Sequence, residues 1–144
     1  MKSYTVIYLA VSLAVLAFAD AKSVQKRECP FKKYFEANAP KCMDKISEEN
    51  LGRMMQGNMD NDEIKCFVGC VFESAGFMKD NKIQLPKARE AIDVFVDEYK
   101  KPQDIGDKLY GVVSDCAPEA EKGANNCEIA ANLIICFKTN NKYT

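Results

Sequence analysis

Apolar residues recur along most of this chain at spacings of three and four, the period of a helix with one buried side. Alternation of apolar and polar residues never lasts beyond a few positions, so strand signals are weak. The clearest helix is predicted from about Asp62 to Ala75. Ile64, Phe67, Val68, Val71, Phe72 and Ala75 fall on one wide arc. Asp60 stands where it can cap this helix, and Glu63 lies in the first turn, where a carboxylate favours the helix dipole. Only Lys65, Gly69 and Glu73 are left for solvent. So narrow a polar strip predicts that this helix is the buried centre of the fold, with Gly76 as its stop.

Five further helices are expected around it. The stretch from Phe31 to about Ile46 has helical character interrupted at Pro40, which can begin a turn but not sit inside one. Ser47 is placed to cap a short helix carrying Leu51, Met54 and Met55, which ends in the turn-rich Gly57-Asn58-Met59-Asp60-Asn61. Phe77 to Gln84 is expected as a loop with Lys79-Asp80-Asn81-Lys82 at its tip. Pro86 suits the first turn of the next helix, whose apolar side is Ala88, Ala91, Ile92, Phe95, Val96 and Tyr99, and Pro102 prevents its continuation. Ile105, Leu109, Val112, Val113 and Cys116 mark a fifth helix. A turn over Ala117 to Asn126 is expected before a sixth helix from about Cys127 to Phe137.

The N-terminus has a different pattern. Lys2 is followed by an almost unbroken apolar run from Val6 to Phe18, and Ala17-Phe18-Ala19 and Ala19-Asp20-Ala21 each offer a small-x-small cleavage site. That is the layout of a secretory signal peptide, expected to be cleaved after Ala21 or Ala19. The run falls short of the roughly 20 residues needed to cross a bilayer. Residues 22–144 then form one helical domain with no second long apolar run, which is not expected to be embedded in a membrane.

Charge and composition remove several functions. The formal net charge is −1, with no basic stripe for nucleic acid and no polybasic block for anionic lipid. Histidine is absent, which removes the usual general base, the Ser-His and Cys-His nucleophile pairs and the commonest zinc ligand. A secreted phospholipase mechanism, which needs a His-Asp pair, is excluded on the same ground. Acid pairs such as Asp60/Asp62 and Asp93/Asp97 fall in a turn and on helix surfaces, where capping or solvation explains them. No catalytic residue, cofactor or enzyme activity is expected.

Seven cysteines in a secreted chain point to a disulfide framework. The last six are spaced Cys42-x23-Cys66-x3-Cys70-x45-Cys116-x10-Cys127-x8-Cys136. Cys127 and Cys136 lie about 13 Å apart along one helix and on opposite sides of it, too far to bond to each other. Cys66 and Cys70 share a face, so the central helix is expected to receive two bridges. Several connectivities remain open on these grounds. A zinc site is disfavoured by the x3 spacing and the lack of His, and no metal is expected.

At this point the chain resembles the insect odorant-binding proteins, the pheromone and general odorant-binding proteins of six-cysteine type. The resemblance rests on Cys66-x3-Cys70 and Cys127-x8-Cys136 in the right order on predicted helices, and on the Asp62-Glu63-x-x-Cys66 lead-in. The Gly76-Phe77 stop before a Pro-initiated helix adds to it. The chain departs from the pattern in a short Cys42 to Cys66 gap, a long Cys70 to Cys116 gap and the extra Cys29. Only seven residues precede Cys29 in the expected mature chain. That leaves no room for a first helix, so Cys42 is preferred to Cys29 as the first framework cysteine.

The resemblance implies an all-α fold of six helices around an apolar cavity, stapled by Cys42–Cys70, Cys66–Cys127 and Cys116–Cys136. It implies a secreted, extracellular carrier, in sensillar lymph or another body fluid, for small hydrophobic molecules such as odorants, pheromones or lipid-like compounds. Leu51, Met54 and Met55 are then expected near the entrance, with Val68 and Phe72 from the central helix. Phe77, Ile83 and Leu85 would line the pocket from the following loop, Ala88, Ile92 and Val113 from later helices, and Leu133 and Phe137 from the last. Tyr110 or Tyr143 could offer a hydroxyl to an alcohol or carbonyl. The same fold serves secreted salivary or venom-type proteins that sequester a host mediator or block a protein, which is the alternative function. A homodimer and a receptor-side partner are neither required nor excluded.

Overall fold

A computed structural model describes residues 28–144; the leader and its cleavage sites lie outside the described residues. The chain opens with α1 (Lys32–Asn38) and a 3-10 helix (Ala39–Lys45) with Pro40 in its first turn, followed by α2 (Glu48–Met55) and α3 (Asp62–Ala75). A two-stranded hairpin, β1 (Met78–Lys79) and β2 (Lys82–Ile83), leads into α4 (Leu85–Glu98), α5 (Gln103–Ala120) and α6 (Asn126–Asn140). The fold is all-α apart from the hairpin.

The boundaries of α3 follow from local chemistry. Asn61, not the expected Asp60, caps it: Asn61 Oδ1 accepts from the Glu63 N–H at 2.8 Å. Asp60 is instead held in the preceding turn, where its own N–H donates to Asn58 Oδ1. Gly76 ends the helix with φ +81°, a left-handed conformation in which glycine pays no Cβ penalty. Phe77 N–H then donates back to the Phe72 carbonyl at 2.9 Å, which turns the Phe77 side chain into the core.

Three features differ from the sequence expectation. The Phe77–Gln84 loop contains a hairpin, with Met78 opposite Ile83 and Lys79 opposite Lys82. Asp80 and Asn81 both take positive φ, as a two-residue primed turn requires, and these two residue types tolerate it. Second, α5 does not stop at Cys116 but continues through Pro118 to Ala120. Burial of Ala117 and Ala120, together with the Cys116–Cys136 bridge, holds this last turn despite the hydrogen bond that proline forfeits. Third, Gly69 is buried rather than solvent-facing. A Cβ there would come within 3.1 Å of the Asn126 carbonyl oxygen and 3.3 Å of Cys127 Cα, so glycine lets α3 and α6 touch backbone to backbone.

The bridges are Cys42–Cys70, Cys66–Cys127 and Cys116–Cys136, with Cα separations of 6.0, 4.2 and 5.8 Å. Two of them clip α3 to the 3-10 helix on one side and to the start of α6 on the other. Cys29 is the free cysteine. Polar clasps close the same structure. Glu63 accepts from the Ser47 N–H and the Asn50 side-chain amide, tying α2 to α3. Glu121 accepts from the Ile83 N–H at 2.9 Å and from Lys82 Nζ at 3.1 Å, tying the hairpin to the end of α5.

Candidate ligand-binding site

The apolar interior falls into two clusters of buried residues. The larger holds Ile64, Phe67, Val68, Val71 and Phe72 of α3, Phe77, Met78 and Ile83 of the hairpin region, and the apolar residues of α6 as far as Leu133. The smaller holds Ala88, Ile92, Phe95 and Val96 of α4, Leu109 and Val113 of α5, and Phe137. The division crosses α5 between Val113 and Cys116, and α6 between Leu133 and Phe137. At 1.5 Å per residue that is about 5 Å of each helix, roughly one turn. Three half-buried residues, Phe31, Leu85 and Val112, pack against both clusters. We call the zone they span the seam.

Most residues expected to contact ligand are buried in one cluster or the other. Val68, Phe72, Phe77, Ile83 and Leu133 are buried in the larger cluster, and Ala88, Ile92, Val113 and Phe137 in the smaller. Leu85 bridges the two. Tyr110 is half-buried against the smaller cluster, its ring under the Arg89 guanidinium at 5.4 Å. That guanidinium also pairs with Asp93 and with Asp107 of α5; the two carboxylates hold its pKa above the ordinary arginine value. Tyr143 is exposed on the tail, beneath Lys108 Nζ.

The expected entrance residues are not gathered in the same way. Met54 packs against the larger cluster, while Leu51 is half-buried outside both. Met55 is 79% exposed, because it lies at the C-terminal end of α2 next to the Gln56-Gly57 turn. Two surface clefts are also present. One, of about 220 Å³, is walled by Cys29, Pro30, Tyr34, Phe95 and Tyr99 among others. The second, about 650 Å³, lies between the Gln56–Asp60 turn and the end of α6. Neither contains any of the residues expected to contact ligand.

Sequence reasoning passed over Phe31. Its ring lies edge-on to Phe77 at 5.4 Å and to Phe137 at 5.5 Å between centroids, with Tyr34 and Phe72 completing the aromatic group around Phe77. Phe31 stands at the N-cap of the first helix, and Tyr34 and Phe35, three and four residues on, were the periodic signal that could have marked it as core.

No polar or charged side chain is buried among the described residues. The interior therefore offers apolar surface without buried charge. Nor does any cluster of Cys, Asp or Glu among the described residues have the form of a metal site. No described helix is long and apolar enough to cross a membrane.

These features define a class: a six-helix domain with three disulfides, a divided apolar interior and a polar exterior. The chain belongs to the PBP/GOBP family, the insect odorant-binding proteins, whose model matches residues 25–140. It is similar to general odorant-binding protein 56a of Drosophila melanogaster, 26% identical over 143 residues, which cover 96% of this chain and 94% of that one. It is also similar to general odorant-binding protein 72 of Anopheles gambiae, 28% identical over 98 residues, covering 67% of this chain and 77% of that protein.

Proposed function

We propose that this protein is a secreted, non-enzymatic carrier that takes up small apolar molecules, of odorant, pheromone or lipid-like type, at the seam between its two core clusters. The observation that carries the reading is the division of the interior at Phe31, Leu85 and Val112, with no buried polar or charged side chain among the described residues. A ligand entering there gains about 25 cal/mol for each Å² of apolar surface it buries. Membership of the PBP/GOBP family and the odorant-binding names of its relatives support the same reading. The N-terminal apolar run with its small-residue cleavage sites supports secretion.

The test is binding of the apolar fluorophore phenylnaphthylamine to the oxidised chain, followed by displacement with unlabelled volatile compounds. One saturable site per chain is expected. Leu85→Glu places a charge at the half-buried edge of the seam and is expected to weaken binding at least tenfold. Its cooperative melt should persist, because Leu85 is outside the fully buried core. Absence of saturable binding to folded wild-type protein would overturn the carrier reading.

A further inference from the structure

Phe31 is held in the seam by aromatic contacts and little else. It makes edge-to-face contacts with Phe77 (81° between ring planes) and Phe137 (72°), one from each core cluster. The helix that follows it is anchored by Tyr34 against Phe77 and Phe35 against Phe67, but the end that carries Phe31 is lightly attached. α1 contains no buried residue, and its N-terminus has no side-chain cap. The ion pairs Lys101–Glu28 and Lys33–Glu98, at 3.7 and 3.5 Å, lie on the surface. Pro30 is the buried exception. A phenyl ring at the uncapped start of α1, seated between rings of the two core clusters, takes the place an aromatic molecule would fill.

We infer that Phe31 occupies the ligand site of this protein as an internal stand-in, and that a small neutral aromatic compound binds by expelling it from between Phe77 and Phe137. The inference rests on the carrier reading and adds to it the ligand class and the residue that competes. Edge-to-face packing selects a ring with a polarised edge and face over a saturated ring of equal size. The lack of buried polar side chains selects against charged compounds. Occupancy by Phe31 lowers apparent affinity in proportion to the fraction of molecules in which it is seated.

Cys29, two residues upstream, reports the displacement. Its thiol lines the cleft formed with Tyr34, Ala91, Phe95 and Tyr99, so expulsion of Phe31 must change its surroundings. The test titrates the full disulfide-bonded chain with phenylethanol and with cyclohexylethanol, and measures the rate at which Ellman's reagent modifies Cys29. Wild type is expected to prefer phenylethanol, and saturation with it should speed Cys29 modification. Phe31→Ala should bind phenylethanol about tenfold more tightly, since no ring need be expelled. Phe31→Leu, which keeps apolar bulk if alanine destabilises the fold, should show a smaller gain. If Phe31 is instead a fixed wall of the pocket, Phe31→Ala weakens binding and ligand protects Cys29; that result overturns the inference. Unchanged affinity and thiol rate overturn it too, while leaving the carrier reading intact if phenylnaphthylamine still binds. Loss of all apolar binding by wild type removes both.

Discussion

Two glycines in helices illustrate how single positions decide stability here. A Cβ at Gly52 in α2 would meet nothing within 4 Å, whereas Gly69 in α3 is pressed against Asn126 and Cys127. Replacing a helical glycine with alanine gains about 1 kcal/mol of helix propensity wherever there is room. Gly52→Ala is therefore expected to raise stability by about 0.5–1 kcal/mol. Gly69→Ala should lower it, because the neighbouring atoms are backbone and the Cys66–Cys127 bridge keeps them from moving away. Urea unfolding midpoints compare the two, and a gain at both positions would contradict the close approach of α3 and α6. Cys29 supplies a second test at this scale. Although Cys29 is exposed, desolvation by the walls of its cleft pushes the thiol pKa above the ordinary value, so the thiolate is scarce at neutral pH. Alkylation by iodoacetamide at pH 8 should be slower than for an unstructured cysteine peptide, and should recover in guanidinium. The stability linked to this thiol is present while it is protonated and is lost as pH rises through its raised pKa.

At the scale of elements, the hairpin depends on a distant residue. Glu121, at the end of α5, accepts from the Ile83 N–H and from Lys82 Nζ, so the carboxylate performs what another strand would otherwise do. Glu121→Ala should cost about 1.5–3 kcal/mol, the range for a hydrogen bond to a charged group. It should also speed hydrogen exchange at the Ile83 amide more than at amides in the centre of α3. Equal exchange rates at Ile83 in variant and wild type would show the clasp to be incidental. Elements such as α3 were legible in the sequence because every local signal agreed there: apolar arc, acidic first turn and Gly76 stop. α4 was legible from Pro86 and its apolar face for the same reason. The hairpin was not, since four strand residues leave no periodicity and its clasp lies 38 residues away. The Pro118 turn was hidden because burial outweighed a local rule. Of the site, the aromatic and aliphatic residues of α3 to α6 showed through their helical spacing. Phe31 was passed over although Tyr34 and Phe35 follow it at helical spacing, because its contacts with Phe77 and Phe137 join residues 46 and 106 positions away.

Across the whole molecule, disulfides and pH act on different contacts. The Cys66–Cys127 bridge closes 61 residues, and by chain entropy it contributes about 4 kcal/mol. The double variant Cys66→Ser, Cys127→Ser should lose close to that in denaturant unfolding, and with it the firm approach of α6 that sets one side of the seam. Acid works on different groups. The chain has no histidine, and no polar or charged side chain is buried among its described residues. The side chain that ordinarily changes charge between pH 7 and pH 6 is therefore missing. Carboxylate acceptors join elements, Glu63 between α2 and α3 and Glu121 at the hairpin. On the surface, Lys108 holds the pKa of Asp104 below the usual carboxylate range. Its contribution is present at neutral pH and is lost only as pH falls through that lowered value. Affinity for an apolar probe is accordingly expected to stay level from pH 7 to 6 and to decline only from roughly pH 4–5, where ordinary carboxylates titrate. A displacement titration repeated across that range checks it. A steep fall in affinity already at pH 6 would overturn this expectation.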